Sequence, residues 1–138
     1  MKPVSLTAVA ALLAFGATAT TAQAVPSELR YHQPINNGLT IVAIADIIRK
    51  ECDQIEPRMI RAYRFIKTLE NQAKADGFSE EEIEAFVENK DDKDRVKGAA
   101  RDYLTSKGVS LADKQTYCTV GKAEIDRNSQ IGALLRSK

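Results

Sequence analysis

Leu39 to Cys52 reads LTIVAIADIIRKEC. Nine of these fourteen residues are apolar, and the run ends on one of the chain's two cysteines. Ile41, Ile44, Ile48 and Cys52 recur at spacings of three and four, which is one face of a helix. Leu39, Val42, Ala45 and Ile47 widen that face. Thr40, Asp46 and Lys50 are left as a narrow wet side, with Asp46 and Lys50 one turn apart and of opposite charge. The β-branched content of the run suits a strand, but strict alternation is absent and Arg49-Lys50-Glu51 suits the last turn of a helix. The stretch therefore predicts a helix that needs neighbours on several sides. The fold expected around it is all-α: a compact bundle of about five helices, after a signal peptide and an extended arm.

The segment before this helix divides in two. Residues 1–24 begin with Met1-Lys2, continue through an apolar stretch centred on Ala8 to Phe15, and end on Ala22-Gln23-Ala24. That is the pattern of a cleavable secretory signal peptide. The competing reading, a membrane anchor, needs about 20 apolar residues, more than this run supplies. Residues 25–36 carry Pro26 and Pro34 with no sustained period and are expected to form an extended arm. The helical domain is expected over 37–138, with Asn36-Asn37-Gly38 as its first cap. His32, the only histidine, falls in the arm, where a solvated role is expected.

The chain has 20 Lys and Arg against 19 Asp and Glu. Cleavage after Ala24 removes one charge, Lys2, so the 114 remaining residues carry zero formal net charge. That balance argues against a general nucleic-acid binder, which shows a basic excess. Two cysteines in an exported chain have each other as oxidation partners. A Cys52–Cys118 bond would close a long loop, worth about 4 kcal/mol in the chain-entropy account. Two separate buried thiols are the alternative.

Downstream, Pro57 suits the first turn of a second helix that ends at Gly77. Met59, Tyr63, Ile66, Leu69 and Ala73 form its expected inward face. Arg58, Arg61, Arg64 and Lys67 step round it and form the densest basic feature, a candidate patch for an anionic partner. A solvated face with acids nearby is the bland alternative. Ser79-Glu80-Glu81-Glu82 has the pattern of a capping box, and Ile83, Phe86 and Val87 should point inward behind it. Val96, Ala99, Ala100, Tyr103 and Leu104 supply a fourth helix that stops at Gly108, with Val109 packed past the stop. A final helix should run from about Asp113 to Arg136, broken near Asn128-Ser129. Gly121 and Gly132 lie on its inward face, costly unless another backbone comes close. The expected neighbour is the Leu39–Cys52 helix.

Catalytic chemistry is not indicated. One histidine on an arm does not make a nucleophile triad, the glutamates after Ser79 diverge around a helix, and Thr119-Val120-Gly121-Lys122 lacks a phosphate-loop spacing. The chain reads as non-enzymatic, with no cofactor and no metal site.

IADIIRKEC (from Ile44), RMIRAYRFIKTL (from Arg58), GFSEEEIEAFV (from Gly77), YLTSKGV (from Tyr103) and the final CTVGKAEIDRNSQIGALLRSK occur in order. Together they resemble a family of small exported alphaproteobacterial proteins of unknown function, often encoded among genes for the respiratory NADH–quinone oxidoreductase. The resemblance implies an all-helical periplasmic protein with a paired cysteine. It also implies an accessory role near a membrane complex, and it carries no catalytic residues. Three functions follow as expectations: a periplasmic interaction or accessory protein with an unknown, membrane-associated protein partner; a single-disulfide stress chaperone; or a small-ligand-binding helical module.

Overall fold

The computed structural model describes residues 28–138. The expected signal peptide at 1–24 and the first three arm residues lie outside them. The described chain is a 3₁₀ turn, Glu28–Tyr31, followed by six helices and two three-residue strands. The helices are α1 (Gln33–Glu51), α2 (Met59–Ala75), α3 (Glu80–Glu88), α4 (Lys90–Ser106), α5 (Gln115–Asp126) and α6 (Gln130–Ala133); the strands are β1 (Ile55–Pro57) and β2 (Leu135–Ser137). Among the described residues no helix is long and apolar enough to cross a membrane.

The all-α expectation holds, and α1 is its centre. It packs against α2, α4, α5, α6, β1 and the 3₁₀ turn. Ile44, Ala45 and Ile48 are buried, Ile48 completely. Burying one such side chain contributes roughly 1.5–3 kcal/mol. Just past its C-terminus Cys52 is joined to Cys118 on α5, with Cα atoms 5.1 Å apart. Gly121, one turn further along α5, shows how closely the two elements meet. A Cβ there would stand 2.6 Å from Ile48 Cγ2 and 2.5 Å from Ile55 Cδ1.

Three helix ends share one device. At Gly77 (φ 97°) and Gly108 (φ 93°) the chain turns left-handed. Phe78 N–H then donates to the Ala73 carbonyl, and Val109 N–H to that of Leu104. These double-bonded glycine ends close α2 and α4. Asn128 (φ 49°) does the same for α5, with Ser129 N–H donating to the Glu124 carbonyl. The expected break at Asn128-Ser129 is therefore a full reversal. The Ser79 capping box is present, its hydroxyl accepting from Glu82 N–H while the Glu82 carboxylate accepts from Ser79 N–H.

Four expectations are corrected. Over its described residues, 28–36, the expected arm is not extended: after the 3₁₀ turn, α1 already starts at Gln33. Pro34 sits in its first turn, where a missing N–H costs nothing. Asn36 is no cap; it is buried one turn inside, its amide donating to the Leu29, Arg30 and His32 carbonyls. Pro57 lies in a strand, because Ile55–Pro57 pairs antiparallel with Leu135–Ser137, Ile55 opposite Ser137 and Pro57 opposite Leu135. The last helix accordingly stops at Ala133, well short of Arg136. Gly132 does make a close approach, but to α5: a Cβ would lie 2.0 Å from the Glu124 carbonyl oxygen.

The fourth correction concerns α2. Its expected inward face is turned outward at its N-terminal end, with Met59, Tyr63 and Ile66 exposed. Ala62, Phe65, Leu69 and Ala73 face the bundle instead. Their spacing is equally helical. They bring Leu69 against Gly38 of α1, where even a Cβ would meet its methyls at 2.3 Å.

These contacts predict an order of stabilities. Gly132→Ala meets backbone and should be the most damaging. Gly121→Ala should cost about 1–3 kcal/mol by overpacking. Gly98→Ala faces open space inside α4 and should stabilise by roughly 0.5–1 kcal/mol. Urea unfolding midpoints check the ranking; a Gly132→Ala midpoint equal to wild type contradicts the packing described.

Candidate binding surface

Two features of the surface are not explained by packing. The first is the outward side of α2. Met59, Ile60 and Tyr63 are 67%, 70% and 63% exposed, and Ile66 continues the stripe. Four large apolar side chains within eight residues make a contiguous patch, unlike the scattered exposure normal on a surface.

Beside it, the structure separates the four basic residues singled out in the sequence. Arg58 is half-buried and structural: its Nε donates to the Leu135 carbonyl at 2.9 Å, holding β2. Lys67 pairs with Glu70 on the next turn. The side chains of Arg61 and Arg64 make neither an ion pair nor a hydrogen bond among the described residues. They line a shallow depression of about 350 Å³ with Phe65, Thr68 and Gln130. Of the four, only these two are uncommitted within the fold.

The second feature is a cleft over α1. Its side facing away from α5 is not covered, because α2 and α4 flank it as walls and α3 closes one end. Leu39, Val42 and Ala43 are half-buried at the floor. One lobe, of about 280 Å³, opens between α1, α3 and α4; a second, of about 220 Å³, runs between α1, α2 and α3. Leu39, Phe86 and Val87 border both. The sequence reading put a narrow wet side here. Thr40 satisfies its hydroxyl on the Asn36 carbonyl, and Asp46 is held by Arg49 and Lys50. The remainder is apolar.

The N-terminal turn helps to form this cleft. Arg30 Nε donates to the buried Asp92 carboxylate of α4 at 2.9 Å. Arg95 bridges Asp92 and the Asn36 side chain. His32 is not solvated: its Nε2 lies 3.0 Å from Asp76, and its ring stands edge-on to Phe78. Leu29 and Ile35 are buried beneath, while Tyr31 is exposed.

One further polar cluster is internal. Glu124 of α5 is 1% exposed. It accepts hydrogen bonds from Tyr103, Arg127 and Ser129. Burial by itself pushes its carboxyl up, but these three donors outweigh burial and hold it below the usual carboxylate range. Burial, together with the bond to Glu124, pushes the Tyr103 hydroxyl up. Every acceptor here is used within the cluster, which ties α4 to the turn between α5 and α6. Nothing in the sequence pattern marked Glu124, since a lone glutamate in a helix carries no sign of burial.

Cys52, Asp53 and Cys118 form the one grouping of metal-ligating residue types among the described residues. Both sulfurs are consumed by the disulfide, which leaves one exposed carboxylate and no ligand set.

No curated protein and no solved structure matches the chain. Residues 27–136 match one family, described as a family of unknown function, DUF5333. The match spans every helix, the disulfide, the open face of α2 and both lobes of the cleft, so the chain belongs to the DUF5333 family.

Proposed function

We propose that the protein is a non-enzymatic interaction protein that works after export, in the periplasm, by docking the outward face of α2 onto an acidic protein surface. The observation that carries this reading is the stripe Met59, Ile60, Tyr63 and Ile66, exposed beside two arginines without an ion pair. Aromatic, Met and Arg side chains are the types enriched at protein interfaces. The charge favours a different chain over a second copy: a two-fold pairing of α2 would set Arg61 and Arg64 near their own copies, which repels. The resemblance to exported alphaproteobacterial proteins encoded among NADH–quinone oxidoreductase genes supports an accessory role beside a respiratory membrane assembly. The disulfide is compatible with an oxidising compartment.

A second reading, an acid-responsive chaperone, is favoured by Glu124. Its pKa is lower folded than unfolded, so its contribution to stability is complete above the unfolded carboxylate value. That contribution is lost as pH falls through the folded value. Acid would then loosen the junction of α4, α5 and α6 and release apolar surface.

Affinity purification from native membranes tests the first reading. Wild-type protein should retain a partner above a tag-only control. Tyr63→Ala combined with Arg61→Glu and Arg64→Glu should lose it with an unchanged circular dichroism spectrum. Equal retention by the variant, or equally tight binding to protein-free anionic vesicles, overturns the reading.

For the second, Glu124→Gln should lower stability at neutral pH by about 1–3 kcal/mol and flatten the fall of unfolding free energy in the acid range. An acid limb of wild-type slope in the variant removes Glu124 as the trigger. Failure to suppress client aggregation in acid removes the chaperone reading itself.

A further inference from the structure

We propose that the cleft over α1 is a binding site for a single-chain amphiphile, its tail lying on Leu39, Val42 and Ala43 and its anionic head held by Lys93 and Lys97. The inference stands on different residues from the docking face of α2, and either can fail without the other.

The shape is the first ground. Two adjoining apolar lobes, about 280 and 220 Å³, share Leu39, Phe86 and Val87 as lining, and the larger is close to the size at which pockets hold small ligands, roughly 300–1,000 Å³. The floor from Leu39 to Asp46 runs about 10 Å along α1. Phe86 and Val87 border it on the α3 side, and the second lobe lies behind them, with Leu29 and Ile83 in its lining. An apolar trough of this volume has room for one hydrocarbon chain but not for two parallel chains.

Charge is the second ground, and it decides the head. Every acid on the cleft wall is already engaged. Asp92 is bonded by Arg30 and Arg95, Asp46 by Arg49 and Lys50, and Glu70 by Lys67 and Lys74. Lys93 and Lys97 stand one helical turn apart on the α4 wall of the outer lobe. Among the described residues neither makes an ion pair, although Asp94 lies close enough to Lys97 to feel its charge. Two lysines at i and i+4 without partners repel one another modestly. An anion between them removes that repulsion and gains charge-assisted hydrogen bonds. The aliphatic stems of both lysines extend the apolar wall toward the mouth. Carboxylate and phosphate heads meet these requirements alike, so free fatty acids and lysophospholipids share the chemistry.

The protein is titrated with decanoate, decyl phosphate and 1-decanol, each below its micellar or solubility limit, by calorimetry and methyl NMR. Saturable one-to-one binding of an anion is expected, with the largest methyl shifts at Leu39, Val42, Ala43, Val87 and Val96. Decanol should bind about tenfold more weakly. Lys93→Gln with Lys97→Gln should reduce the anions to the level of decanol. Ala43→Phe fills the outer lobe, and Val87→Asp charges its rim at a half-exposed position. Both should abolish binding at an unchanged melting temperature. Binding of both anions supports the shared head chemistry. Binding of decanoate alone identifies a fatty acid, and of decyl phosphate alone a lysophospholipid. No saturable binding, equal affinity for decanol and the anions, or full binding in both the Ala43→Phe and Val87→Asp variants overturns the proposal.

Discussion

The close approach of α5 to the end of α1 is the constraint on which the rest depends. Gly121 has no side chain because Ile48 and Ile55 occupy the space a Cβ would need. Cys52 and Cys118 then fall 5.1 Å apart and can be joined. The bond removes freedom from the unfolded chain and adds little to the packing of the folded one. With α5 seated there, Ile55 is trapped beneath it, and β1 presents its edge to the returning C-terminal residues. Asn128 reverses the chain, α6 folds back on Glu124, and β2 arrives antiparallel to β1. Arg58 Nε on the Leu135 carbonyl locks that arrival. One glycine, one disulfide and one left-handed asparagine therefore account for the closed half of the molecule.

The other half is held differently and remains partly open. Its core is small, built on Leu29, Ile35, Ala73 and Phe86, and charged contacts supplement it. Arg30, Asp92, Arg95 and Asn36 bind the N-terminal turn to α4, and His32 binds it to the end of α2. A half-molecule with few large buried side chains cannot draw α2, α3 and α4 together over α1. On α1, the most apolar helix among the described residues, one side is left only half-buried at Leu39, Val42 and Ala43. Poor coverage of α1 and exposure of the α2 stripe are thus one event: the face that brings Leu69 against Gly38 turns Met59 and Tyr63 away.

Local signals were legible in the sequence, and signals that depend on a partner were not. The helical phase of Ile44, Ile48 and Cys52, the capping box at Ser79 and the stops at Gly77 and Gly108 are encoded within a few residues. The structure repeats them. On α2 two apolar faces, Met59–Tyr63–Ile66 and Ala62–Phe65–Leu69–Ala73, fit a helical period equally well. Periodicity cannot choose between them; the narrow seat opposite Gly38 does. Three-residue strands carry no period at all, so the β1–β2 pairing left no trace. Pro34 and Asn36 look like breaker and cap, and only the contacts of Arg30 with Asp92 and of Asn36 with three carbonyls show that the helix begins before them. For the basic residues of α2, the sequence showed their clustering but not that Arg58 bonds the Leu135 carbonyl and Lys67 pairs with Glu70.

The two open surfaces differ in a way that bears on how each works. The α2 stripe is an exposed helix face, with Arg61 and Arg64 flanking it at the depression beside Gln130, so whatever covers it must bring its own concavity and acids. A folded partner can do that. The cleft over α1 is concave and its acids are neutralised internally, so it asks of an occupant only flexibility, an apolar body and one negative end. The exposed face and the cleft of one small bundle thus select for different classes of ligand. Leu39 and Ile66 border the same inner lobe, and Ile66 also belongs to the exposed stripe. A chain filling that lobe would press on α2 from behind, at the helix whose other side is offered for docking. Ile66 is thus the residue at which an occupant of the cleft and a partner on the stripe would meet. Any effect that one ligand has on the other's affinity across that residue is reciprocal by linkage.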